Sequence, residues 1–190
     1  IPSEPRTAEP RVPLGHRSQA GQGSLDLDAE EQAQPKQIPL AEALQVLKPL
    51  LEDPAVLKIG HNIKYDMLVL ARPLYDLRIT PVDDSMVLSY VLESGQHGHG
   101  MDELARLHLG HETIKYDDVT GTGKAQVTFD RVGIEAARDY AAEDADITLR
   151  LYLLLKPRLV EAHAVALYET MERRLIPVLV EMERAGIKVD

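Results

Sequence analysis

The stretch Val56-Leu57-Lys58-Ile59-Gly60-His61-Asn62-Ile63-Lys64-Tyr65-Asp66 passes from a short apolar run into polar residues that carry an acid. Residues 56–60 read as a buried strand, and about 64–72 as the helix that follows. A strand feeding directly into a helix is the repeating unit of an α/β sheet, and ligands gather where such strands end. Asp66 then lies in the first helical turn. The helix dipole favours a carboxylate there, which is the structural alternative to a ligand role. Asn62 can donate hydrogen bonds to a sugar or phosphate, and Tyr65 offers a ring on which a base can pack.

Upstream, Leu40, Ala43, Leu44, Leu47 and Leu51 recur at helical spacing behind Pro39, with Pro54 beyond the end. Downstream, Leu77 to Val82 reads as a second strand, and Asp83-Asp84-Ser85 as the cap of a helix reaching about Leu92. Met101 to Leu109 is a short amphipathic helix ending before Gly110. Residues 111–130 show no clear period. A long helix is expected from about Val132 to Leu155, stopping at Pro157. A last one spans about 164–185, bent by Pro177 and ended by Gly186. Residues 1–37, broken by Pro2, Pro5, Pro10, Pro13 and Pro35, read as irregular, with Arg11 to Gly15 a candidate edge strand. The expected organisation is therefore an irregular segment 1–37, an α/β domain 38–157 and a helical connector 158–190.

The long helix carries the second acid of interest. At about 100° per residue, Ala137, Ala141, Thr148, Leu151 and Leu155 share a face with Asp144, whereas Glu135, Asp139 and Asp146 point away and Glu143 lies off the stripe. A carboxylate on a core-facing stripe needs a cation or donors. Tyr140, one turn earlier, reaches the same place. Two readings stay open: a metal site with a water-orienting phenol, or a structural ion pair with Arg72 or Arg78.

Composition narrows the partners. The formal net charge is -10, so nucleic acid cannot be held by broad phosphate neutralisation and any contact must be local. The chain has no cysteine, which removes disulfides, thiolate nucleophiles and cysteine zinc sites. No apolar run approaches the roughly 20 residues of a membrane span. Gly121-Thr122-Gly123-Lys124 lacks the spacing of a phosphate loop, with Asp118 where the first glycine belongs and Ala125 after the lysine. His97, His99, His108 and His111 read as residues of a solvated loop rather than as a zinc cluster.

Three segments taken together resemble a known family: Lys58 to Asp66, Met101-Asp102-Glu103-Leu104-Ala105, and Tyr140-Ala141-Ala142-Glu143-Asp144-Ala145-Asp146. They are similar, in order, to the proofreading 3'→5' exonuclease domain of bacterial DNA polymerase I, the tyrosine branch of the DEDD superfamily. Arg174 to Asp190 resembles the lead-in to that family's polymerase domain. The resemblance implies a ribonuclease H-like fold, a mixed sheet flanked by helices. It implies that Asp66 and Asp144 are metal ligands, that Tyr140 orients the attacking water, and that His61, Asn62 and Tyr65 line the pocket for the terminal nucleotides. It further implies Mg2+ or Mn2+, two ions in the complete site, hydrolysing the 3'-terminal phosphodiester of single-stranded or frayed DNA.

The resemblance also implies a polymerase domain in cis, a role in DNA replication and repair, a monomer, and a bacterial cytoplasmic setting close to the nucleoid. The family's first motif, Asp-x-Glu on the first strand, has no clear counterpart; Asp26-Leu27-Asp28-Ala29-Glu30 has the letters without apolar flanks. With two acids where four are expected, weak or absent metal binding and a catalytically silent chain are the expectation. His61 stands where many relatives carry glutamine, and Gly98-His99-Gly100 where they carry Arg-His. A ribonuclease D-like exonuclease and a non-catalytic nucleic-acid-binding or structural module are the alternative readings.

Overall fold

The computed structural model describes residues 38–188. The expectations placed on Arg11 to Gly15 and on Asp26 to Glu30 lie outside the described residues. Helix α1 (Leu40–Glu52) leads to strand β1 (Lys58–Gly60), helix α2 (Ile63–Leu70), strand β2 (Val82–Asp84) and helix α3 (Ser85–Glu93). Helix α4 (Met101–Leu104) continues as a π turn over Ala105–Leu109. A short α5 (Tyr116–Thr120) precedes the long α6 (Ile134–Glu161). Helix α7 (Val165–Leu167) runs through a second π turn, Tyr168–Glu172, into α8 (Arg173–Ala185).

The two strands are parallel, with Lys58 beside Val82 and Gly60 beside Asp84, so α2 is the crossover of a β-α-β unit. The second strand is shorter and later than the expected 77–82. Pro81 has no N–H to give the ladder, so its carbonyl accepts from Lys58 N (3.0 Å) and pairing starts at Val82. No helix among the described residues is long and apolar enough to cross a membrane.

Two apolar clusters hold these elements. In the first, Ile147, Leu151, Leu155 and Leu159 of α6 are buried against Leu88 of α3 and Tyr168. This stripe explains why α6 passes through Pro157, where the sequence predicts a stop. Leu155 and Leu159 are both sealed in the core, and burying each contributes about 2 kcal/mol, which together outweighs the roughly 3 kcal/mol that an internal proline costs. In the second, Ile176 and Val180 of α8 pack on Ile63 and Met67 of α2 and on Val82. Helix α1 forms where its spacing predicts, yet buries none of its residues.

Candidate active site

Both strands end at one place. Gly60 closes β1, and a Cβ there would sit 2.7 Å from the Cβ of Ile63, so the tight approach of strand to helix requires glycine. Asn62 follows with φ +58°, a left-handed turn that asparagine tolerates better than most residues. Asp84, at the end of β2 and 1% exposed, accepts from Asn62 N (3.1 Å) and Ile63 N (2.8 Å) at the start of α2. It also accepts from Met86 N (2.8 Å) and Val87 N (3.3 Å) at the start of α3. One buried carboxylate thus caps two helices, a larger role than the single cap its spacing suggests.

Both expected acids line one cleft. Asp66 from α2 and Asp144 from α6 line a single cleft of about 510 Å³ together with His61, Gly60 and Met101. Among the described residues neither acid has a basic side chain within ion-pair distance, which removes Arg72 and Arg78 as partners of Asp144. Partial burial and then the charges of Glu143 and Asp102 lift the Asp144 carboxyl above the usual carboxylate range. Asp66 is lifted as well, by desolvation and by Asp84. It stands on the exposed side of the cleft, so the shift bears on its protonation and not on stability.

Tyr140 lies one turn before Asp144 and packs against Phe129 and Tyr116, with ring centroids 5.8 and 6.3 Å apart. Burial, then the Asp144 charge, pushes its phenol up, so it remains a donor. Asn62, Tyr65 and Tyr140 flank the cleft without lining it. Tyr65 is 65% exposed, so its ring face is open to solvent.

His61 does line it. Ser85 Oγ donates to the Gly60 carbonyl (3.2 Å) and so accepts from His61 Nδ1 (2.9 Å). That fixes the proton on Nδ1 and leaves Nε2 a buried acceptor without a partner among the described residues. Burial lowers the pKa of the ring and keeps it neutral.

Two carboxylates in one cleft, without cationic partners among the described residues, are a donor set that suits a hard divalent ion. Asp66 and Asp144 are the residues that would hold it.

Three polar hubs are not legible from spacing. Asp83, 1% exposed, is paired with Lys156 (2.9 Å) and Arg173 (2.9 Å), both of which also bind Glu169. Glu93, at the end of α3, is reached by His97, His108 and Arg158, so these histidines are not the solvated loop residues that the sequence suggests. Glu143 accepts from His111 (2.7 Å) and from the Ile114 amide (2.6 Å), pinning the 111–114 segment beside Tyr140.

Burial alone would raise the Glu143 carboxyl, but the His111 and Ile114 hydrogen bonds together hold it below its ordinary value. A depressed folded-state pKa stabilises the segment above the unfolded pKa, and the stabilisation fades as pH falls through the folded value. The protection of the Ile114 amide, its exchange compared with the intrinsic rate at the same pH, is therefore expected to fall only once pH drops below the ordinary glutamate range. In Glu143→Gln that protection is already lost at neutral pH.

A family model described as 3'-5' exonuclease matches residues 18–160. The DNA polymerase I of Rhizobium leguminosarum is 52% identical over 179 residues, which is 94% of this chain and 17% of that protein; the chain thus spans a minor part of its relative's length. Among solved structures, Brucella melitensis NrnC bound to pGG superposes with TM-score 0.61 at 24% identity, over 74% of this chain and 64% of that one. NrnC with bound Mg2+ gives TM-score 0.58 at 23% identity over the same shares. The fold is that of ribonuclease H-like nucleases, of which the described residues carry two parallel strands. By sequence and fold alike, the chain belongs to the 3'-5' exonuclease family, as a segment homologous to part of DNA polymerase I.

Proposed function

We propose that this segment belongs to the editing part of a DNA polymerase I, which releases nucleotides from a single-stranded or frayed 3' end, and that the chain by itself, with two acids where the resemblance implies four, is catalytically silent. The carrying observation is that Asp66 and Asp144, 78 residues apart in sequence, line one cleft beside the end of β1. Divalent ions held there, Mg2+ or Mn2+, would stabilise the attacking and leaving oxygens of a phosphodiester. The other roles fall to the chain. Tyr140 keeps its proton and donates to a water beside Asp144. His61 Nε2 accepts from a sugar hydroxyl, Asn62 donates to the sugar-phosphate, and the open Tyr65 ring carries a base. The net charge of -10 fits a protein that grips a strand end locally and not along its length.

The domain reading belongs to the same proposal: 1–37 an irregular segment, 38–157 the exonuclease-like domain, and 158–190 a connector towards a polymerase domain in cis. The setting proposed is a monomeric protein of the bacterial cytoplasm.

Mn2+ titration followed by NMR tests the site. Signals of Asp66, Asp144 and His61 are expected to broaden first, and thymidine monophosphate to bind only when Mn2+ is present. Both responses vanish in Asp144→Asn. Binding of the nucleotide that ignores Mn2+ and Asp144→Asn would overturn the proposal. A nuclease assay with Mg2+ or Mn2+ on 5'-labelled DNA and RNA of one sequence checks the silence of the chain, and clear removal of 3' nucleotides would refute it. Preference for an RNA end would favour the ribonuclease D-like alternative.

A further inference from the structure

A second cluster of ligand atoms stands outside the cleft. Glu93 closes α3 and is 6% exposed. His97 follows one turn later, and His108 comes from the π turn 105–109. His97 Nε2 lies 3.0 Å and His108 Nε2 2.9 Å from the same oxygen, Glu93 Oε2, and the three donor atoms are within 4.8 Å of one another. The other carboxylate oxygen, Oε1, is taken by Arg158 at 2.6 Å. Two imidazole nitrogens therefore converge on a single carboxylate oxygen.

The tautomer of His97 makes this more than a hydrogen-bonded group. Its Nδ1 is 2.7 Å from the Gly98 carbonyl oxygen, which can only accept, so Nδ1 carries the proton. A neutral ring then presents the Nε2 lone pair to a carboxylate oxygen, two acceptors 3.0 Å apart. Either a second proton or a metal ion resolves that contact. A histidine whose Nδ1–H is held by a backbone carbonyl, leaving Nε2 for the metal, is the outer-shell arrangement that orients zinc ligands.

We propose that Glu93 Oε2, His97 Nε2 and His108 Nε2 bind a divalent transition-metal ion of the Zn2+ class, with water as the fourth ligand, in a site separate from the catalytic cleft. Two nitrogens and one oxygen suit Zn2+ and not Mg2+, which demands near-octahedral oxygen. Around a tetrahedral ion with bonds of about 2.0–2.1 Å, ligand atoms stand roughly 3.3 Å apart. The two imidazole nitrogens thus need to withdraw from Oε2 by only a few tenths of an ångström. Arg158 opposes the ion's charge. The Glu103 carboxylate, which lies against Gly98, favours it. His99 turns its Nδ1 to Ser89 Oγ (2.7 Å) and is not a ligand through that atom. The ion would tie the end of α3 to the 94–100 loop and the π turn, and so brace Met101, which lines the cleft.

The test is titration of the chelator-treated full chain with Co2+, then Zn2+. One equivalent of Co2+ is expected to give the intense visible absorption of a four-coordinate ion, which Zn2+ then displaces. Saturating Zn2+ is expected to raise the melting temperature by roughly 5 °C. His97→Ala and His108→Gln should lose both responses, while the double variant Asp66→Asn/Asp144→Asn keeps them. His97→Ala is the decisive variant, because that ring sits on the loop and its removal leaves the core intact. Absence of the band in the native chain, its survival in His97→Ala, or its loss in the Asp66→Asn/Asp144→Asn variant overturns the proposal.

Discussion

Asp83→Ala is expected to lower the unfolding free energy by about 3 kcal/mol, near the lower end of what breaking a buried ion pair costs. Asp83 is 1% exposed and accepts from Lys156 of α6, from Arg173 of α8 and from the Tyr168 hydroxyl (3.2 Å). Removing it leaves two cations without their buried counter-charge. The loss is held to that lower end because Glu169 still pairs with both, at 2.6 and 2.7 Å. Both basic side chains also keep about a quarter of their surface in water. Tyr152, whose phenol burial and Asp83 push up to about 12, is expected to titrate closer to an ordinary tyrosine in the variant. Urea unfolding measures the first effect, read by far-ultraviolet circular dichroism since the chain has no tryptophan. A loss below about 1 kcal/mol would mean that the cluster behaves as a surface pair.

What could be read from the residues, and what could not, divides along a physical line. Helical angle alone singles out Asp144, because 140, 144, 148, 151 and 155 trace one stripe on a helix. Thr148, Leu151 and Leu155 are buried and Asp144 continues the stripe into the cleft, whereas Ala141, on the same face nearer the start of α6, is exposed. Asp66 followed from its place behind a strand. The hubs were hidden because they join residues far apart in sequence: Glu93 meets side chains at 97, 108 and 158, and Asp83 meets 156 and 173. An Asp-Asp-Ser run looks the same whether its acids cap one turn in water or carry buried charge. The strand and helix ends were missed where proline's local cost competed with packing. At Pro81 the missing N–H prevailed and delayed the strand. At Pro157 the buried leucines on either side prevailed and the helix continued. Asp102, which the sequence offers only within the Met101 to Ala105 motif, adds its charge to those that raise Asp144 and Tyr140.

Asp84→Ala is expected to cost about 4 kcal/mol, the largest effect of any single substitution argued for this chain, and to weaken Mn2+ binding in the cleft at the same time. Four backbone amides point at this one carboxylate, at 3.1, 2.8, 2.8 and 3.3 Å. Losing a helix cap costs about 1 kcal/mol on average and up to 2. Two caps are lost here, in a buried place where water cannot replace the acceptor, so each orphaned amide adds to the penalty. Asp84→Asn keeps one acceptor oxygen and should cost about half as much. The link to function is geometric. Asn62 N and Ile63 N are the amides that set the left-handed turn into α2, and α2 carries Asp66. Without Asp84 the first turn of α2 is free to fray, and Asp66 loses its fixed place opposite Asp144. Mn2+-induced broadening should then persist at Asp144 and fade at Asp66, measured well below the melting point so that loss of fold does not mimic the effect. Equal broadening at both acids in Asp84→Ala would show that α2 is held by its packing on Ile176 and Val180 rather than by its cap.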